Sequence, residues 1–278
     1  MIARGRNFIQ LAQANALSGA DDHVVYDDEF HRYTVDGTVV PTSVTAVIKK
    51  VLDEKEFDAG LIIRKNLAAW RRNPRSKYGT MVAGHDDEQA TEKIKKKWLD
   101  ANRLGTQLHR RLEGLLNGEE MSDDGETDVE WPGVLAAVDE LRSIGARAFR
   151  TELSVFWKRS DGIVVCAGQI DVLMKCGDGD SVEFVMIDLK RTDKPLSANE
   201  RPFDDKMCLA PLDNKFANEF HKYSLQMSMY AIMLKQCTGI DVFPENRFLM
   251  KAHPLIEKTD MVACACFDSE AREILDSL

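Results

Sequence analysis

Three polar residues interrupt two apolar stretches in the middle of the chain. Asp171 lies in Ala167-Gly168-Gln169-Ile170-Asp171-Val172-Leu173-Met174, and Asp188 and Lys190 lie in Phe184-Val185-Met186-Ile187-Asp188-Leu189-Lys190. Both stretches read as strands. Side chains alternate across a sheet with period two, so Asp188 and Lys190 share a face and Ile187 and Leu189 turn into the core. Two carboxylates and a lysine at the ends of neighbouring strands suit phosphodiester hydrolysis. Carboxylate oxygens are hard ligands for Mg²⁺ or Mn²⁺, and such an ion activates water and offsets charge on the phosphate. The lysine can orient or help deprotonate the attacking water and stabilise the negative charge that develops.

An isolated D-x-K carries little weight, because Asp–Lys pairs on solvated strands are common. The preceding G-x-x-D, Gly168 to Asp171, adds to it. More specific is Tyr223-Ser224-Leu225-Gln226-Met227-Ser228-Met229-Tyr230. In a helix, Gln226 and Tyr230 stand four apart on one face, while Leu225, Met229, Ile232 and Met233 supply an apolar face. Gln226 is then free to reach the strand ends, although a tyrosine on a helix face also packs well without any ligand.

In this order the motifs resemble the RecB-like branch of the PD-(D/E)XK nucleases, whose signature is a helical His, an acid, G-x-x-D, D-x-K and Q-x-x-x-Y. Gly105-Thr106-Gln107-Leu108-His109-Arg110-Arg111-Leu112-Glu113 looks like the His-bearing helix, with His109 and Glu113 at i, i+4, and Glu152 matches the acid. Pro41-Thr42-Ser43-Val44-Thr45 is also similar to an N-terminal motif of the mitochondrial genome maintenance exonuclease and of exonucleases from phages and large DNA viruses. The resemblance covers residues 23–250 as scattered motifs. It implies an α/β core of restriction-endonuclease type, a central mixed sheet flanked by helices. It makes His109, Asp171, Asp188 and the Leu189 carbonyl metal ligands, Lys190 catalytic, and Gln226 and Tyr230 positioning residues near DNA. Glu152 is either a ligand or a structural acid. Some relatives carry an iron–sulfur cluster; here no cysteine precedes Cys166 and Cys264-x-Cys266 has the wrong spacing, so no cluster is expected.

The elements that must position these residues follow from the pattern. Residues 23–40 carry hairpin signals closed by Asp36-Gly37. Ser43 or Thr42 is placed to cap a helix, and the pattern stays helical to Leu116. Residues 117–132 are acidic and rich in turn formers, the composition of an exposed connector. A helix over 133–144, strands over 148–157, 163–175 and 182–190, a helix over 223–236, strands over 247–253 and 262–267 and a last helix from Asp268 complete an α/β core. The domain expectation is a hairpin and basic helical lobe over 1–100 and the core over 101–278. The long segment between Lys190 and Gln226, including 199–205 and 211–213, is expected to form a loop over the site. Residues 1–20 fit either a mitochondrial presequence or an ordinary first helix.

The chain has 278 residues and a formal charge of −9, which on its face disfavours a nucleic-acid ligand. The distribution answers this: residues 61–111 hold thirteen Lys and Arg against five Asp and Glu. Trp70 and Trp98 lie within that segment, where they either stack on bases or pack in a core. No apolar run is long enough to span a bilayer. Six scattered cysteines with no secretory signal point to free thiols in a reducing, intracellular compartment. The expectation is an Mg²⁺- or Mn²⁺-dependent DNase, an exonuclease on single-stranded DNA or DNA ends in replication, repair or recombination. The alternatives are a structure-specific endonuclease and a non-catalytic nucleic-acid-binding or assembly protein that keeps the fold.

Overall fold

The computed structural model describes residues 9–278 apart from 28, 29, 31, 120–124 and 203. The described chain forms two compact units, one running up to Glu54 and resuming at Leu108–Leu278, the other Lys55–Gln107. The division therefore does not follow a single boundary near residue 100. The reason is local: β4 (Thr42–Ser43) pairs in parallel with β6 (Val164–Cys176), and α2 (Val44–Val51) buries Val44, Val47, Ile48 and Val51, so the N-terminal part joins the core before the helical unit begins. Ser43 Oγ accepts the Ala46 N–H at 3.2 Å and caps α2.

In the first unit, β1 (Val24–Asp27), β2 (Arg32–Val35) and β3 (Thr38–Val39) form a small antiparallel sheet. The β2–β3 turn places Asp36 and Gly37 at φ 49° and 76°, the double positive φ that an Asp-Gly pair supplies to a two-residue hairpin. A short helix α1 (Ile9–Ala14) precedes it; residues 1–8 lie outside the described part. The main sheet is mixed and six-stranded. β5 (Arg147–Lys158) and β7 (Glu183–Arg191) are antiparallel to β6, β8 (Arg247–Ala252) is parallel to β7, and β9 (Asp260–Ala263) is antiparallel to β8. α7 (Glu219–Thr238) lies in the crossover from β7 to β8.

Both faces of the sheet are covered. On one, Leu153, Ile170, Leu173, Met186 and Leu249 pack with α2, α7 and α8 (Asp268–Asp276). On the other, Val172, Met174, Ile187 and Leu189 pack against Leu108 and Leu112 of α5 (Asp87–Leu116) and Val134 and Val138 of α6 (Trp131–Ser143). Ile187 and Leu189 are fully buried, as alternation requires, each contributing about 2 kcal/mol by leaving water.

Among the described residues of 117–132, several are not exposed. Asn117 is buried at the end of α5, and Thr127 and Glu130 are buried where two guanidinium groups need partners: the buried Arg111 reaches Asp128 at 2.7 Å and Thr127 at 3.0 Å, and the nearly buried Arg191 reaches Glu130 at 2.5 Å.

The second unit comprises α3 (Ala59–Arg72), α4 (Gly79–Val82) and the first part of α5. Ile63, Leu67, Val82, Ala90 and Ile94 form its core, with Trp70, Tyr78 and Trp98 packed against it. Trp98 Nε1 donates to Tyr78 Oη at 2.8 Å, and the Trp70 and Tyr78 rings lie 4.5 Å apart. Both tryptophans thus serve the unit's own packing. The unit carries twelve Lys and Arg against seven Asp and Glu.

Candidate metal centre

β6 forks. Its antiparallel ladder with β7 ends at Val172 opposite Ile187, and nearer its start the same edge pairs with β4 through Cys166 and Ala167. Asp171 lies one residue beyond the end of the β7 ladder, where continued register would put it opposite Asp188. In place of the next ladder bond, the Leu189 N–H donates to Asp171 Oδ2 at 2.9 Å. Leu189 thus enters the site through its N–H, with its side chain in the core.

On the other edge of β6, Thr151 pairs with Val172 and Leu153 with Ile170, which puts Glu152 level with Asp171. Glu152 has φ 49°, a left-handed conformation unusual for a non-glycine strand residue. Strict alternation would place Ile170 with Val172, yet Ile170 and Leu153 belong to the α7 side and Val172 to the α5 side. The period-two pattern breaks across Glu152 and Asp171.

His109 and Glu113 of α5 and Asn117 just past its end follow at intervals of four, in line with one helix face. Asn117 Nδ2 donates to Thr151 Oγ1 at 2.9 Å, fixing the end of the helix beside Glu152. Two turns earlier, His109 Nδ1 lies 3.2 Å from Asp171 Oδ2. One donor atom each from His109, Glu152 and Asp171 lies within 4.8 Å of the others. Glu113 is buried and, with Arg150, Thr151, Glu152 and Ser154, lines a cavity of about 450 Å³.

Asp188 is 2% exposed, and neither carboxylate oxygen receives a well-directed hydrogen bond, although Lys190 Nζ sits 2.5 Å from Oδ2. Burial pushes its pKa up to about 6; the Lys190 charge opposes this and Asp171 adds to it. Burial works against the charge of Lys190, but Asp188 and Asp171 outweigh it, so its pKa is raised and the side chain stays an ammonium. A buried carboxylate with unsatisfied lone pairs is costly, and a cation nearby would relieve it. Two carboxylate oxygens and an imidazole nitrogen in close array, with Asp188 behind them, fit a divalent cation that prefers hard ligands. Glu152 thus joins His109 and Asp171, while Asp188 is held by Lys190.

Gln226 Nε2 donates to Tyr230 Oη at 2.9 Å. Tyr230 is 4% exposed and packs over Gly168, where a Cβ would stand 2.5 Å from Tyr230 Cε1. Burial holds its phenol well above the ordinary value, so it stays neutral. Tyr230 is therefore an interior residue that orients Gln226.

Two neighbours of the site, Tyr223 and Glu219, were given no role by their sequence pattern. Lys190 Nζ lies 4.4 Å from the centroid of the Tyr223 ring, and Glu219, one turn earlier on α7, pushes the Tyr223 phenol's pKa, raised by burial, further up by its charge. The spacing held the signal: positions 219, 223, 226 and 230 lie along one helix face. The segment between β7 and α7 is tied down at the end of α2 by Leu209 N–H to Val51 O at 2.7 Å and Lys206 to Asp53 at 3.1 Å, with Leu212 buried in the core. All six cysteines are free thiols.

A scan against protein-family models gives no match for the chain, and a search of curated proteins gives none either.

Proposed function

We propose that the chain is an Mg²⁺- or Mn²⁺-dependent DNA nuclease with a RecB-like PD-(D/E)XK core, acting as an exonuclease on single-stranded DNA or DNA ends. The observation that carries this reading is the convergence of His109, Glu152 and Asp171 beside the buried Asp188–Lys190 pair, at the fork of a mixed sheet. His109, Glu152 and Asp171 would hold the cation, with Asp188 adding negative charge from behind. The bound ion supplies Lewis acidity for water activation and offsets charge on the scissile phosphate.

The remaining work falls to the protein's own groups. Lys190, charged at neutral pH, donates to the attacking water or a phosphate oxygen and stabilises the charge that builds up there. Asp188 fixes the lysine from one side. Gln226, oriented by Tyr230, supplies an amide for the substrate backbone. The second unit, with its excess of Lys and Arg, is where a polyanion is drawn by charge.

End-labelled DNA incubated with the purified protein and Mg²⁺ or Mn²⁺ should be degraded, and Lys190→Ala should abolish this. Comparing linear with circular single-stranded DNA separates exonuclease from endonuclease action, since only an endonuclease cuts the circle. A protein that binds DNA without cutting either form under any divalent metal would be a non-catalytic relative of the fold.

A further inference from the structure

Lysine is a flexible side chain with three rotatable donors, and Asp188 alone would draw it down onto its own strand. A second attraction comes from another element. Tyr223, in the first turns of α7, presents its ring to Nζ at 4.4 Å from the centroid, within the range of a cation–π contact. A ring face attracts an ammonium through its quadrupole and takes up at most the N–H directed at it. With Asp188 at one side and the ring at another, Lys190 keeps a donor for water or phosphate.

The ring has a charged neighbour one turn earlier on α7, Glu219, which accepts Lys194 Nζ at 3.1 Å. Glu219 is partly buried, and although burial raises its pKa, Lys194, Lys222 and Tyr223 hold it below the ordinary carboxylate value. It is therefore a dependable acceptor at neutral pH. Tyr223 stays a neutral phenol because burial, reinforced by Glu219, raises its pKa.

We infer that Tyr223 is a positioning residue, braced by Glu219, whose ring fixes the Lys190 ammonium with a donor left for the reaction. This rests on Lys190 acting as proposed above, and two independent readouts separate the two ideas. The first needs no activity: in the NMR spectrum of the full chain, the Lys190 ε-CH₂ protons should be shifted upfield by the Tyr223 ring current. Tyr223→Phe should keep that shift and Tyr223→Leu should remove it. An unshifted Lys190 signal in the unsubstituted chain overturns the inference whether or not the protein cuts DNA.

The second readout is kinetic. Tyr223→Leu should lower kcat roughly tenfold with KM little changed, and Tyr223→Phe should restore most of it, as removal and return of one cation–π attraction predict. Equal kcat in Tyr223→Leu and the unsubstituted chain overturns the inference while leaving the nuclease reading intact. If Tyr223→Leu does not fold, Tyr223→Met serves: a kcat unchanged by removing the ring, or a Tyr223→Phe chain as impaired as Tyr223→Met, counts against a role for the ring face. Glu219→Gln, which keeps the ring, should broaden or reduce the upfield shift without abolishing it.

Discussion

Gly168 and Tyr230 are in such close approach that a single methyl group on Gly168 would stand 2.5 Å from the Tyr230 ring carbon Cε1 and 3.1 Å from Val44 Cγ2. The glycine three residues before Asp171 and the tyrosine four residues after Gln226 are thus one packing unit, joining β6 to α7. Gly168→Ala should destabilise the protein by about 1–3 kcal/mol, the cost of overpacking a core that cannot give. Chemical denaturation of Gly168→Ala, Tyr230→Leu and the double variant would show it. The double variant should lose less than the sum of the two single ones, because the smaller ring site accepts the methyl.

The Asp188 pKa, raised to about 6 by burial, makes cation binding pH-dependent. A carboxylate whose folded pKa lies above its unfolded one adds stability at low pH, and that contribution is lost as pH rises through the folded pKa. A cation reverses the balance by favouring the ionised form. Mn²⁺ should therefore raise the melting temperature more at about pH 7.5 than at about pH 5, where proton and metal compete. Asp188→Asn should flatten the difference, which a thermal scan with and without Mn²⁺ or a chelator would measure.

Glu130 and Arg191 form a nearly buried pair at 2.5 Å. Removing one partner strands the other charge in the interior, so Glu130→Ala should cost about 3–5 kcal/mol. Arg191→Met with Glu130→Leu should recover most of that loss in urea melts. Recovery would establish that the pair anchors the segment before α6 without being required for the fold.

The second unit holds Lys93, Lys96 and Lys97 on the solvent side of α5. If it attracts DNA through phosphate, replacing the three by Ala should weaken single-stranded binding and flatten the salt dependence by about 0.7 in log–log slope for each phosphate that a lysine no longer neutralises. Binding measured in EDTA by fluorescence anisotropy separates this from cleavage.

Much of the fold was legible because the strands from Arg147 to Arg191 are long apolar runs with turn residues between them, and helix α7 is a long apolar run bounded by the Asn218 N-cap and by Gly239. Asp171, Asp188 and Lys190 stood out as polar residues inside apolar runs. Less legible was what depends on partners distant in sequence. β4 is two residues long, too short for any period, yet its pairing with β6 decides that the N-terminal part belongs to the core. Thr127 and Glu130 looked like connector residues because their burial is dictated by Arg111 and Arg191. Glu152 matched a motif, but its left-handed conformation and the break in alternation beside Asp171 leave no mark in composition. Tyr223 was hidden for another reason: an aromatic on a largely buried helix needs no role beyond packing until Lys190 is seen over its ring.

The most direct test of the account is release of labelled nucleotide from linear DNA in the presence of Mn²⁺, measured for the unsubstituted protein, Asp171→Asn and Lys190→Ala after all three are confirmed folded by circular dichroism. A metal-dependent nuclease gives release by the unsubstituted protein that EDTA stops, and a fall of at least about 10²-fold in both variants. Release that persists undiminished in Lys190→Ala and Asp171→Asn would contradict it.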